Sequence, residues 1–375
     1  MASEPHQIKV TSLSLVNFRN SEKSAYTFSD GLIFITGMNG AGKTTILEAL
    51  GLTSFLKSFR FAMDREMIRF GATFYRTEVG FTAPSGNHRI AISFGRNPDD
   101  AKAALVKKYA IDGRTNERAA AIIGRIPSVV LSPDDLRIVA GDHTERRRFI
   151  DLLLSMLYPG YFTALQNYQR ALKMRSQLLK NRPDEGVLTA IDRELAAAGV
   201  EILLKRRQFI PEFAMPFAAS VSKISLAKDT WQLQYQGETK QVESAADYAA
   251  MLKEHRANDL RLRQTTSGVH RDRLFFLGPN GADHDIRTVG SQGQKRTAAL
   301  ALKLAQFDYM QQKSGTRPVL LIDDVLNELD LTRRASFVDF LGGVGQVFFT
   351  TTDLIGMQDF LKGLGQAAPV QNIEL

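Results

Sequence analysis

The amino-acid sequence predicts an α/β chain whose strand-rich part is interrupted by a short antiparallel helical hairpin, and three stretches carry that prediction. Residues 32–50, LIFITGMNGAGKTTILEAL, pass from an apolar, β-branched run through a glycine-rich turn into a helical pattern. Residues 318–324, PVLLIDD, read as a buried strand closed by two carboxylates. Between them, Tyr161, Leu165, Tyr168, Leu172 and Leu179, then Leu188, Ile191, Leu195, Ala198 and Ile202, recur at the spacing of helices that pack face to face.

In chain order, residues 8–36 read as short strands around turns (IKVTSLSLVNF, YTF, LIFIT), and residues 43–57 as the helix after the glycine turn. FYRTEVGFTA, HRIAISFG and IPSVVL add strand-like runs. The last ends at Ser132-Pro133, where proline restricts its predecessor and breaks the pattern, and a helical region follows. NRPDEG holds the turn residues at which the two helices reverse. Each helix counts about 20 residues, a hairpin on the order of 30 Å at 1.5 Å per residue. Arg175 falls on the apolar stripe, where snorkelling toward water near the tip explains it more simply than a contact site does. SQGQKR at 291–296 then opens a run of good helix formers, TAALALKLAQFDYM, ahead of the PVLLIDD strand.

The glycine turn fills the spacing G-x-x-x-x-G-K-[ST], in which backbone N–H groups wrap a triphosphate at a helix N-terminus. Gly37, Met38, Asn39, Gly40, Ala41, Gly42, Lys43, Thr44 and Thr45 are therefore the predicted nucleotide-binding residues. Glycine is needed because backbone must approach phosphate closely and in conformations costly for side chains. Lys43 is expected to reach the β- and γ-phosphates, and Thr44 a Mg²⁺ ion. Asp323 closes the carboxylate strand as the other expected Mg²⁺ ligand, and Asp324 is the candidate catalytic group that orients or deprotonates the attacking water. Compact GTPases and kinases complete such a site within a much shorter span than Lys43 to Asp323. A large insertion therefore divides one nucleotide fold, and the hairpin is that insertion.

Ser291, Gln292, Gly293 and Gln294 open a helix and offer a second anion site, with a hydroxyl, close N–H groups and a positive helix end. A serine-capped helix is common by itself. Its place shortly before the carboxylate strand is the order of ATP-binding-cassette (ABC) ATPases, in which this helix faces the γ-phosphate held by the other subunit. One chain would then hold two half-sites.

The 375 residues, 44% hydrophobic, are enough for a large core and two or three domains. Zero cysteines exclude a disulfide framework and thiolate metal sites. The start, MASEPHQIKV, lacks a basic-then-apolar signal, and no apolar run approaches the ~18–20 residues of a spanning helix, so a soluble, cytoplasmic protein with no membrane partner is expected. The net charge of +8 and pI near 9.5 suit an anionic polymer, though basic surfaces are common without nucleic acid. Residues 137–210 carry 13 Lys or Arg against 8 Asp or Glu, including Arg146-Arg147-Arg148 and Lys205-Arg206-Arg207, a candidate surface for phosphate contacts.

Over nearly its whole length the chain resembles the RecF family, bacterial DNA replication and repair proteins related to the heads of SMC and Rad50 ATPases. The resemblance lies in LSLVNFRN, NGAGKTTILEAL with KSFR, LSPDDLRIVAG with RRRFIDLLL, SGVHRDRLFF, SQGQKR and LLIDDVLNELD. It implies an ABC-type P-loop ATPase head in two halves, residues 1–132 and 266–375, around an inserted helical arm at 133–265. It also implies an ATP- and Mg²⁺-dependent homodimer that grips duplex DNA near single-strand gaps and is reset by weak ATP hydrolysis. Such proteins work with RecO and RecR to help RecA replace single-strand-binding protein, in DNA damage repair and the SOS response. NELD supplies the D-loop residues Asn327 and Asp330, with Asn327 where the family usually shows Ser or Ala. Arg60 of KSFR resembles an SMC-head arginine that links DNA to hydrolysis, and joins Arg146, Arg147 and Arg148 as a candidate DNA contact. His143 replaces a small residue or proline, Ser21 stands where an aromatic is more usual, and Thr350 to Thr352 occupy the place of the switch histidine of transport-type cassettes. Two rival classes share the ATP sandwich. For an ABC-type ATPase energising a transporter, the hairpin and the basic balance count against it; a nuclease-coupled SMC-like ATPase needs a far longer coiled coil.

Overall fold

Apolar runs without alternation form strands that are covered on both faces, as parallel sheets require. The computed structural model describes residues 6–96, 104–181, 184–237, 241–278, 284–325, 331–341, 344–352 and 369–375. Among these, Val370–Glu374, Leu32–Thr36, Val347–Thr351, Val319–Asp323 and Ser128–Leu131 lie side by side in that order, each parallel to its neighbour. All but the edge strand Val370–Glu374 are buried along their whole length. Phe34 stacks on Phe349 with ring centroids 4.8 Å apart. Because Leu32–Thr36 pairs with Val347–Thr351, the two ends of the chain build one sheet.

Alternating runs form a second, antiparallel sheet, ordered Ser21–Thr27, Lys9–Phe18, Phe74–Ala83, Gly86–Gly95, Val106–Ile111 and Arg114–Thr115. Lys9–Phe18 turns Val10, Leu13, Leu15 and Phe18 inward. The helix Lys43–Phe55 is buried on nearly every side, which its sequence, lacking a polar stripe, allows. These elements belong to one compact unit, residues 1–135, 222–227 and 299–375.

The other unit comprises residues 136–221 and 228–298. Asp142 caps the helix His143–Leu157, its carboxylate accepting from Thr144 N–H (2.7 Å) and Glu145 N–H (3.3 Å). The hairpin helices follow, Pro159–Leu178 and Glu185–Ser225. They run antiparallel, since Arg175 meets Asp192 while Tyr161 meets Arg206. The second helix has 41 residues where about 20 were expected. It continues through Pro211 and Pro216, which ordinarily break helices, because Phe209, Phe213 and Phe217 pack along one buried stripe. Arg175 does not snorkel. It is fully buried, bound to Asp192 (2.6 Å), Asp259 (2.6 Å) and Thr265 (2.9 Å).

The boundaries read from the sequence fell after 132 and after 265, whereas the units divide after 135 and 298. Residues 266–298 stay with the hairpin because Arg273–Leu277 pairs with Gln232–Gln236, and because Asp272 and Asp285 are bound by Arg206 and Arg146.

Candidate nucleotide site

The phosphate loop leaves its strand at Thr36 and enters its helix at Lys43. Gly37, Gly40 and Gly42 have φ of +149°, +84° and +107°, a region disfavoured for residues with a side chain. Gly42 is the helix N-cap, and a Cβ there would stand 3.1 Å from the Asn20 side chain. Met38, Asn39 and Gly40 are exposed, whereas Lys43 and Thr45 are buried. The Lys43 ammonium donates to the carbonyls of Gly37 (2.8 Å) and Met38 (2.9 Å), curled over the loop it is to serve.

The two distant predicted halves meet here. Thr44 Oγ1 donates to Asp323 Oδ1 at 2.7 Å, and Thr350 Oγ1 donates to the same oxygen at 2.8 Å. Burial pushes the Asp323 carboxyl up, against the pull of both hydroxyls and the Arg60 charge. A hydroxyl and a carboxylate oxygen brought together at the head of the loop helix are hard donors of the kind Mg²⁺ takes, so Thr44 and Asp323 fit that ion. Asp324 is exposed, has a left-handed φ of +51°, and gives its N–H to Thr350 Oγ1 at 3.1 Å. Thr350 thus braces the Asp323 carboxylate and the Asp324 backbone. Asn327 and Asp330 lie outside the described residues.

Two residues that the sequence reading left without a role complete the surroundings. Asn20 accepts from Thr45 Oγ1 (3.0 Å) and donates to the Gly40 carbonyl (3.4 Å), tying the turn after Lys9–Phe18 to the phosphate loop. Arg19 pairs with Glu48 of the loop helix through Nε (2.7 Å) and Nη2 (2.5 Å), and Ser58 donates to the same carboxylate at 2.5 Å. The only hint was their place in NFRN, since nothing local says which distant side chain Asn20 or Arg19 meets.

Ser291 is exposed and forms a capping box at the start of the helix Gln292–Ser314. Its Oγ accepts from Gln294 N–H (3.2 Å), and Gln294 Oε1 accepts from Ser291 N–H (3.0 Å). Gln294 also donates to Asp229 at 2.9 Å. The candidate DNA arginines divide. Arg60 and Arg148 are exposed, and Arg147 is half-buried with Nη1 on the Asp272 carbonyl at 2.6 Å. Arg146 is fully buried and grips Asp285 with both terminal nitrogens, at 2.7 and 2.9 Å. That guanidinium is an internal brace and offers nothing to phosphate.

The RecF/RecN/SMC N terminal domain model matches residues 9–362. DNA replication and repair protein RecF of Leptospira interrogans serogroup Icterohaemorrhagiae serovar Lai is 39% identical over 354 residues, 94% of either chain. The RecF of Clostridioides difficile is 34% identical over 356 residues, 92% of either chain. A solved structure of the recombination mediator protein RecF-ATP in the RecFOR pathway is 27% identical, with a TM-score of 0.85 over 95% of each chain. The SmcHead bound to the C-winged helix domain of ScpA, 17% identical with a TM-score of 0.51, shares the fold over 94% of this chain and 91% of its own.

Proposed function

The chain belongs to the RecF family, and from that premise we propose that it is an ATP-controlled DNA clamp of recombinational repair in the cytoplasm. Two subunits close on two ATP molecules, grip duplex DNA near a single-strand gap, and let go after slow hydrolysis. With RecO and RecR as partners, the clamp assists RecA loading. The observation that carries this reading is the contact between Thr44 and Asp323, which joins the phosphate loop and the carboxylate strand in one site.

Loop N–H groups and Lys43 hold the triphosphate, with Lys43 leaving the carbonyls of Gly37 and Met38 for phosphate oxygens of higher charge. Thr44 and Asp323 hold Mg²⁺, which when bound neutralises charge on the phosphates. Asp324 orients the attacking water. Ser291 to Gln294 complete the opposite subunit's site, Ser291 being exposed at a helix start.

The test separates binding from assembly. Lys43→Ala is expected to lose tight ATP binding, Asp324→Asn to bind ATP but hydrolyse it slowly, and Ser291→Arg to bind ATP yet remain monomeric in light scattering. Mixing Ser291→Arg with Lys43→Ala restores one composite site of two, read as recovered ATPase. In the presence of ATP, affinity for random duplexes falls steeply with salt and depends little on sequence. Normal dimerisation by Ser291→Arg, or ATP binding by Lys43→Ala equal to that of the unaltered chain, overturns the reading.

A further inference from the structure

We propose that Phe70 stacks on an unpaired base at the edge of a DNA gap, with exposed basic side chains of the same segment on the flanking phosphates; this rests on the DNA-binding reading above. The chain between the helix Lys43–Phe55 and the strand Phe74–Ala83 ends in a tight turn, where Ala72 N–H donates to the Arg69 carbonyl at 2.9 Å and leaves Phe70 and Gly71 at the corner. Gly71 has φ +82°, and a Cβ there would meet nothing within 4 Å, so backbone conformation rather than crowding calls for glycine. Phe70 is 100% exposed.

The turn is firmly held. Arg69 N–H donates to Asn17 O and Arg19 N–H to Met67 O, both at 2.8 Å, Ile68 bridges to Phe18, and Met67 is wholly buried. Ten described non-glycine residues have positive φ, and four of them, Asn17, Arg19, Leu56 and Phe61, lie in this segment or in the strand end that holds it. Such strain persists where surrounding structure over-determines it, and it concentrates at working surfaces. A ring kept in water by a rigid turn forgoes burial that a polar residue there would not miss.

Charge selects the occupant. Lys57, Arg60 and Arg65 of this segment are exposed, while of the acids Asp64 pairs with Lys107 at 2.6 Å, Glu22 with Arg69 at 3.0 Å, and the exposed Glu66 carboxylate accepts from Met63 N–H at 2.9 Å. Met63, 53% exposed, adds apolar surface. Exposed basic side chains and an exposed aromatic ring on one segment are the residue types that bind nucleic acid by phosphate contact and base stacking, largely without regard to sequence. Bases inside a duplex already stack on each other, so a free face is offered at a strand end or gap edge. Asn20, next to Arg19 at the strand end that holds this turn, is bound to Thr45 and Gly40, so the aromatic corner and the phosphate loop hang from one support.

The test uses the full chain with ATP and Mg²⁺, a gapped duplex, and a fully paired duplex of the same sequence. Phe70→Ala is expected to bind the gapped duplex about tenfold or more weakly, with a smaller change on the paired duplex and unaltered ATP affinity. Phe70→Trp restores binding, and its added emission is quenched by gapped DNA; the native Trp231 is buried, and the unaltered chain supplies its background. Unchanged binding by Phe70→Ala, or Phe70→Trp emission indifferent to DNA, overturns the proposal and leaves the ring to a protein partner. An unaltered chain that binds neither DNA overturns the underlying DNA reading as well, a result distinct from the first.

Discussion

Replacing Arg146 with Met tests whether the arginine triplet is a DNA contact or a structural brace. Arg146 is 0% exposed. Besides both Asp285 oxygens, it donates to the carbonyls of Leu274 (2.8 Å), Val139 (2.7 Å) and Ile138 (3.3 Å), and its guanidinium lies 4.8 Å from the Phe276 ring centre. Removing one partner of a buried pair strands the other, at about 3–5 kcal/mol. Arg146→Met should therefore destabilise the hairpin-bearing unit by that amount. In Arg146→Met/Asp285→Asn the stranded charge is gone, and the loss should fall short of the sum of the single losses by ~1.5 kcal/mol or more. Trp231, the chain's one tryptophan, is buried in the same unit, so urea unfolding followed by its fluorescence reports on that unit. A loss under ~1 kcal/mol, accompanied by a shallower salt dependence of DNA affinity, would refute the brace and return Arg146 to the phosphate-binding surface.

The His270 ring accepts from Tyr168 Oη (2.7 Å) and donates to Thr265 O (3.2 Å), and burial holds its pKa down to about 4. Between the unfolded value near 6.5 and about 4 the unfolded chain binds more protons, so stability present above that window is lost as pH falls through it. Asp272, pushed up to about 6 mainly by burial, works in the opposite sense, so the comparison is with His270→Gln. From pH 7 to pH 5 the unaltered chain should lose about 2 kcal/mol more than that variant in chemical denaturation; equal losses would show the ring is not held neutral. Gly42→Ala, with φ +107° and its new methyl against Asn20, should lower ATP affinity at least ~tenfold in equilibrium binding, and Gly40→Ala, with no neighbour within 4 Å, distinctly less. Asn20→Ala, which frees the Thr45 hydroxyl, should weaken ATP about three- to tenfold in the same assay, and no change would remove Asn20 from the site.

By itself the sequence determined whatever depends on contiguous residues. The phosphate loop was legible because close approach to phosphate demands glycine at set positions, and Gly37, Gly40 and Gly42 do adopt positive φ. PVLLIDD was legible because a strand buried on both faces must be apolar until it reaches the carboxylates it presents. The hairpin showed in its heptads, yet its length did not, since Pro211 and Pro216 mark a break that the packing of Phe209, Phe213 and Phe217 overrides. Tertiary structure alone decided the fate of the arginines. Arg146 and Arg206 stand in basic stretches that resemble a solvated or DNA-facing surface, and Arg175 on an apolar stripe from which it was expected to snorkel, but all three are buried. Their carboxylates, Asp285, Asp259 and Asp272, lie 139, 84 and 66 positions away. A charge leaves water only when folding brings it an opposite charge in the right geometry, and no local pattern encodes that meeting. The same holds for Thr44 and Asp323, whose residue types were readable and whose 2.7 Å contact needed the two chain ends to pair in one sheet.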